Sequence, residues 1–476
     1  MKKLSELYDI QSDELIKDIK INSKEVKKGD LFVCTMGVNA DRHDFIDDAI
    51  KNGASAIVVS KDNIICDVPV IKVNNTNEEL PLLCARYYDN PDKKLNIIGV
   101  TGTDGKTTIA TIIQTLIGKN ICGYIGTNGV TCANYHEHLI NTTPDVNLLY
   151  KYFDIFVNKK CKYVSMEASS EAFLRNRLSN IMFDVSIYTN ISNEHMNVHK
   201  TFDNYLECKL QLFRQTKKDG YCIINRDDKY YDIVCKNCNG KILSYGENKE
   251  SDLRIVSYEL FADHTNIKFS YKGKEFDVTS PLLALFNIYN LAAALLVCLS
   301  LGFNLEDILV NIDKLKIEGR VEVLKGENYT VIVDFAHTPH AIDAILSFSR
   351  SLSHNKIITV IGSAGGRDQE KRPVIGDVCI KKSDYVIFTT DDPRNEDPLE
   401  ICNMMIGDLK NYYDNFEIIL DRKRAVKKAI DMAEENDIVL LLCKGNEPYQ
   451  ITSKGYEPYN EIMEAKKAIE EKKSQN

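Results

Sequence analysis

The 476-residue chain lacks several features that would have fixed its class at once. Its N-terminal stretch MKKLSELYDIQSDELIK alternates charges and has no apolar core of the length a secretory leader needs, so neither a leader nor a membrane span is expected. There is no basic excess. A formal charge of -9 argues against a surface built mainly to hold nucleic acid, yet leaves room for a local basic cleft that takes a phosphorylated small molecule. Of the 14 cysteines only Cys235 and Cys238 are spaced C-x-x-C, with no second such pair and no nearby histidine pair, so metal or redox use is the weaker alternative to an incidental pair. Reduced thiols in a reducing compartment fit best, which places the protein in the cytoplasm. No repeat of 20 to 50 residues occurs, and the only biased tract is the charged tail EEKKSQN, so a solenoid is excluded.

What is present is length and apolar content. A chain this long exceeds one hydrophobic core, and 44% hydrophobic residues supply several. Residues 1–93 read as a small α/β unit: GDLFVCTMG and SAIVVS as strands, DFIDDAIKNGA as a helix ending at Gly53. The turn-forming segment YYDNPDKK marks a boundary. Residues 94–317 alternate apolar runs with helical patterns around a largely parallel sheet, with antiparallel strands expected near 240–280 and a long helix in NIYNLAAALLVCLSLGF. Residues 318–476 restart with YTVIVDFAH, KIITVIGSAGG, DYVIFTTDDPR and DIVLLLCKG, four apolar strands of a doubly wound, Rossmann-like domain. The expected fold is α/β in three domains, the central one a phosphate-loop ATPase-like parallel sheet.

The stretch IIGVTGTDGKTTIATII carries the first chemistry. A strand runs into a glycine-broken loop and then a helix, the context a phosphate loop requires. Backbone amides from Gly102 through Thr103, Asp104 and Gly105, with the helix start at Lys106, Thr107 and Thr108, can hold phosphate oxygens. Lys106 can neutralise β/γ charge, and the Thr107 hydroxyl can ligate Mg²⁺. Val100 occupies the position of the first glycine in the usual pattern, and a plain glycine turn with an exposed lysine is the competing reading.

GVTGTDGKTT, SMEASS, YTNISNEHMNVHKTFDNYLECKLQLF, FNIYN, EGR, VDFAHTPHAI, GSAGGRDQEKRP, DDPRNEDP and KGNEPYQ follow one another along the chain in an order and spacing that resembles the Mur ligases. The resemblance implies a cytoplasmic enzyme of peptidoglycan precursor synthesis, an ATP-dependent amide ligase. It would add meso-diaminopimelate, or alternatively L-lysine, to UDP-N-acetylmuramoyl-L-alanyl-D-glutamate through an acyl phosphate. A paralogue joining other substrates and a non-catalytic nucleotide-binding regulator remain the alternatives. Partners beyond these substrates, nucleic acid or membrane, are not expected, and a monomer is.

The resemblance also implies site roles. Thr107 and Glu167 would hold one Mg²⁺, and His195 and Lys209 a second, with Lys106, His195 and Lys209 as the catalytic set. Lys209 stands where the family carries a carbamylated lysine, an anionic oxygen ligand suited to a hard cation. On residue type alone Lys209 would be a solvated lysine on an amphipathic helix and His195 a satisfied core or surface histidine. Asn290, Arg320, Asp334 and His337 match positions that touch ATP. Asn287 and Tyr289 could equally be capping and packing residues.

For the nucleotide-sugar peptide the resemblance implies Ser23, Thr142, Thr143, Ser169 and Arg177, the last a candidate bidentate fork or else a surface arginine. For the incoming amino acid it implies Arg367, Asp392, Arg394 and Glu447. Arg394 would grip a distal carboxylate, which favours diaminopimelate; Asp392, where the family has asparagine, could instead attract a lysine ammonium. Further departures are Glu171 for histidine, Arg175 for glutamine, Cys443 for glycine and Asn446 for histidine. Glu171 and Arg175 add one negative and one positive charge near the substrate, with an altered acceptor as the expected consequence.

Overall fold

The computed structural model describes residues 1–37, 40–352 and 354–474. Three sheets organise it. A four-stranded parallel sheet runs Ile19–Lys20, Asp30–Val33, Ala54–Val59, Val70–Lys72. An eleven-stranded sheet spans Asn96 to Ser280, and a six-stranded sheet spans Glu322 to Leu442. A two-residue pairing near the N-terminus and a hairpin of Tyr449–Thr452 with Gly455–Pro458 stand apart from them.

The apolar strands are covered on both faces, as continuous runs demand. In the six-stranded sheet Ile332, Leu440 and Leu442 point to a core under the helices Pro339–Ser351, Lys371–Lys382 and Pro398–Ile406. Their neighbours Val331, Val333, Val439 and Leu441 point the other way, under Arg422–Met432 and Glu461–Lys473. That period-two split makes the domain doubly wound. In the central sheet Ile97, Val164 and Met166 serve one core and Ile98, Val100, Val185 and Ile187 the other. The long helix Leu285–Ser300 closes the second core against Lys106–Ile117. The strands from 253 to 280 pair antiparallel, as their composition suggested.

Strand order places the functional loops. Asn96–Thr101 lies between Tyr163–Glu167 and Phe183–Tyr188, all parallel, so the loops leaving their carboxyl ends converge. In the six-stranded sheet Thr330–Asp334, Ile438–Leu442, Ile357–Ile361 and Tyr385–Phe388 are likewise adjacent and parallel. In open α/β sheets ligands bind at such carboxyl ends.

A buried ion pair fixes the C-terminal helix. Arg422 forks onto Glu461 through Nε (3.0 Å) and Nη2 (2.7 Å), and Nη2 also donates to the Leu442 carbonyl at 2.6 Å. Both side chains are buried. Removing one partner strands the other charge, so Glu461→Ala is expected to cost about 3–5 kcal/mol in urea unfolding. A change below about 1 kcal/mol, the scale of an exposed pair, would contradict this reading.

Candidate active site

The glycines of the phosphate loop are required by space and backbone. Gly102 has φ 152°, and a Cβ there would sit 1.8 Å from Thr189 Oγ1. Gly105 has φ 88° in the left-handed region and caps the helix Lys106–Ile117, and its Cβ would meet Asn290 Oδ1 at 2.6 Å. Asn290 thus packs behind the loop, its amide donating to Asn287 Oδ1 at 3.0 Å, while Asn287 donates to the Leu283 carbonyl at 2.8 Å. Tyr289 donates to Asp227 at 2.8 Å.

In front of the loop a cleft of about 530 Å³ opens between the central and C-terminal domains. Thr103, Asp104, Gly105, Lys106, Thr107 and Thr108 line it, together with Glu167, His195 and Lys209. Thr107 Oγ1 donates to Glu167 Oε2 at 3.0 Å. Glu167 Oε1 accepts from Tyr124 OH at 2.9 Å and from the Thr127 amide at 2.8 Å. A buried carboxylate beside a hydroxyl offers hard oxygens to a cation. Among the described residues no three His, Cys, Asp or Glu side chains converge as a metal cluster.

Lys106 and Lys209 share one acceptor. Lys106 Nζ donates to the Gly102 carbonyl at 3.0 Å and to the Thr103 carbonyl at 2.9 Å; Lys209 Nζ donates to the same Gly102 carbonyl at 2.6 Å. Two ammonium groups at one oxygen repel, and Lys209 is also buried, 4.4 Å over the Tyr205 ring. Burial first, and Lys106 second, hold its pKa well below the usual lysine value. His195, its ring 5.7 Å from that of Tyr205, has φ 63° and a pKa pushed down to about 2 by burial and by Lys106 and Lys209. It is a neutral imidazole at pH 7.

The C-terminal domain closes the cleft through ties that the motifs alone did not single out. Lys371 Nζ lies 2.9 Å from buried Glu194, 177 residues away in sequence. Asp104 accepts from Thr338 at 3.4 Å and approaches His340 Nδ1 at 3.6 Å. Burial opposes the charge of Asp104, but His340, His337 and Lys106 outweigh it and keep its pKa low. Arg320 and His337 line the cleft, Arg320 stacked 4.6 Å over Phe335. Asp334 does not line it: its oxygens accept from the Val321 and Ala336 amides, both at 2.7 Å, which fixes the turns carrying Arg320 and His337.

Thr142, Thr143, Ser169 and Arg177 lie together on the wall beyond Glu167. The Thr143 hydroxyl donates to the Glu167 carbonyl (2.8 Å) and accepts from the Ser169 amide (3.2 Å); Arg177 Nε donates to Asp145 at 2.8 Å. Glu171 and Arg175, two departures from the family pattern, pair with each other at 2.7 Å. Their opposite charges cancel locally. Ser23 lies in the first domain, outside this cleft, in the short turn Ser23–Glu25.

Arg367, Asp392, Arg394 and Glu447 line the same cleft. Sequence reasoning passed over the group that binds two of them. Buried Lys444 donates to Asp392 Oδ1 at 2.8 Å and to Glu447 Oε2 at 2.7 Å, with Asp391 at 3.8 Å. Burial works against its charge, and the three carboxylates more than restore it. Arg394 has φ 54°, and its Nε is buried with no partner among the described residues. Arg367 is lowered by burial and by Arg394 beside it. Cys443 has φ 81°, a left-handed backbone that suits glycine better. Its thiol donates to the Gly362 carbonyl at 3.1 Å.

Burial raises the Glu447 pKa to about 7, Lys444 opposing. Capture of an ammonium by Glu447 therefore strengthens as pH rises through about 7, where the carboxyl loses its proton. The expected result is a limb of kcat/KM for the amine substrate rising through that pH and lost in Glu447→Gln. An identical limb in the variant would assign it elsewhere.

A phosphate loop with a buried carboxylate beside it, faced by a doubly wound lobe that brings arginines to the same cleft, is the arrangement of an ATP-dependent ligase. The chain belongs to the Mur ligase family: residues 100–298 match the Mur ligase middle domain, 319–445 the Mur ligase glutamate ligase domain, and 15–88 the Mur ligase family catalytic domain. It is 35% identical to UDP-N-acetylmuramoyl-L-alanyl-D-glutamate--2,6-diaminopimelate ligase of Clostridium perfringens, over 92% of this chain and 91% of that one. To the protein of the same name in Aquifex aeolicus it is 36% identical, covering 95% and 94%. A solved structure of such a ligase aligns with TM-score 0.69 and 28% identity over 99% of each chain. The fold is shared with MurF ligase of Thermotoga maritima, solved with ADP, at TM-score 0.67 and 19% identity over 98% and 100%.

Proposed function

We propose that the protein joins meso-diaminopimelate to UDP-N-acetylmuramoyl-L-alanyl-D-glutamate at the expense of ATP. A glutamyl carboxylate oxygen attacks the γ-phosphorus as the bond to ADP breaks, giving an acyl phosphate. The amine then attacks the carbonyl carbon, loses a proton, and phosphate leaves with one of the original carboxylate oxygens. Lys106 and the loop amides hold the triphosphate, and Arg320 and His337 face it from the other domain. Thr142, Thr143, Ser169 and Arg177 position the peptide, and Ser23 belongs to the uridine end. Thr107 with Glu167, and neutral His195 with a carbamylated Lys209, would each hold a Mg²⁺, which draws charge from the transferring phosphoryl group. The protein acts in this reading as a cytoplasmic monomer. Among the described residues no helix is long and apolar enough to cross a membrane.

The observation that carries the choice of amine is the charge of the pocket. Asp391, Asp392 and Glu447 face Lys444, Arg367 and Arg394, formally balanced, and Arg394 keeps a buried unpartnered N–H. Diaminopimelate is a zwitterion with a second carboxylate for that donor; lysine brings a net positive charge and no acceptor. Asp392 has one oxygen held by Lys444 and the Ile451 amide, which supports diaminopimelate over a lysine ammonium at that position.

ADP release is expected only with ATP, UDP-dipeptide and diamino acid together, and with diaminopimelate strongly preferred over L-lysine in competition. Turnover indifferent to the amino acid would remove the ligase reading, and preference for lysine would remove the choice of amine.

A further inference from the structure

The hairpin of Tyr449–Thr452 and Gly455–Pro458 belongs to neither large sheet. Its register sets Ile451 opposite Tyr456 and Tyr449 opposite Pro458. Side chains two apart on a strand, and cross-strand partners, share a face, so Tyr449, Ile451 and Tyr456 project together. All three line the cleft, with the two tyrosine rings edge to face at 4.8 Å. Gln450, on the opposite face, donates back to the Thr390 carbonyl at 3.3 Å.

The hairpin is fastened to the residues that face the amino acid. The Ile451 amide donates to Asp392 Oδ1, and its carbonyl accepts from the Arg394 amide, both at 3.0 Å. The hairpin thus cannot shift without moving Asp392 and Arg394. Around it the lining is charged: Arg367, Asp392, Arg394 and Glu447. Such groups can hold the ends of a diamino acid but offer nothing to the methylenes between them. Tyr456 is 63% exposed, a large ring surface left facing that space.

We infer that the inner face of this hairpin is the wall that receives the methylene chain of the incoming diamino acid and sets the chain length accepted. The inference rests on the ligase reading and adds Tyr449, Ile451 and Tyr456 as specificity-determining residues.

The test is steady-state kinetics on the full-length protein with meso-diaminopimelate and with 2,5-diaminoadipate, one methylene shorter. The wild type should favour diaminopimelate by about tenfold or more, the scale of a misfitted methylene. Ile451→Ala and Tyr456→Ala should raise KM for diaminopimelate about tenfold and bring the two substrates toward parity, with KM for ATP and for the UDP-dipeptide unchanged. Tyr456→Phe, which keeps the ring, should behave as wild type. Unchanged KM and unchanged chain-length preference in both alanine variants would overturn the inference, as would a rise confined to KM for the UDP-dipeptide. A wild type with no diamino-acid-dependent ADP release would remove the ligase reading and this inference with it; normal wild-type turnover beside unaltered variants would remove the inference alone.

Discussion

Lys209→Ala is expected to lower turnover by about 10³-fold, roughly the 4 kcal/mol that one preorganised electrostatic contact contributes to a transition state. The nitrogen is buried and shares the Gly102 carbonyl with Lys106, and burial with that neighbouring ammonium depresses its pKa, which favours the uncharged amine that reaction with CO₂ requires. A carbamate there, as proposed, would exchange a positive charge for a negative one near His195. Lys209→Arg separates charge from chemistry: guanidinium keeps the cation and cannot form the carbamate, so it should lose as much as alanine. The wild type equilibrated with ¹³C-bicarbonate should show a carbamate carbon resonance absent from Lys209→Arg. Full turnover in the arginine variant would refute the carbamate, and full function in the alanine variant would favour a non-catalytic nucleotide-binding protein.

Arg394→Ala should raise KM for meso-diaminopimelate by about 10²-fold, because truncating one member of a buried charge pair costs about 2–5 kcal/mol. Turnover of L-lysine, without the distal carboxylate, should change little, so the preference between the two collapses. The Arg394 backbone is left-handed and its amide is held by Ile451, which argues that its direction is imposed by the fold. If both amino acids weaken equally, Arg394 does not read the distal carboxylate.

Much of the fold was legible because parallel strands buried on both faces, such as IVLLL at Ile438–Leu442, cannot be polar anywhere. The edge strands Glu322–Lys325 and Phe416–Ile418 escaped notice, since short half-exposed strands carry no such run. The hairpin at 449–458 escaped for the same reason: its alternation spans only two four-residue strands. In the site, loop residues 102–108 were readable as a contiguous motif. Lys444 and Glu194 were not, although both lie within quoted motifs. Only tertiary burial distinguishes a lysine among three carboxylates from a solvated one, and only the fold brings Glu194 to Lys371. Asn290 and Asp334 lie just outside the cleft, shaping the loop and turns that do line it, a distinction between touching and supporting that motif position cannot make.

In the proposed acyl-phosphate route, phosphate leaves with an oxygen taken from the glutamyl carboxyl group. UDP-dipeptide carrying ¹⁸O in that carboxyl group, turned over with ATP and meso-diaminopimelate, should yield inorganic phosphate bearing one ¹⁸O for each ADP formed. Unlabelled phosphate alongside amide product would contradict the acyl-phosphate route.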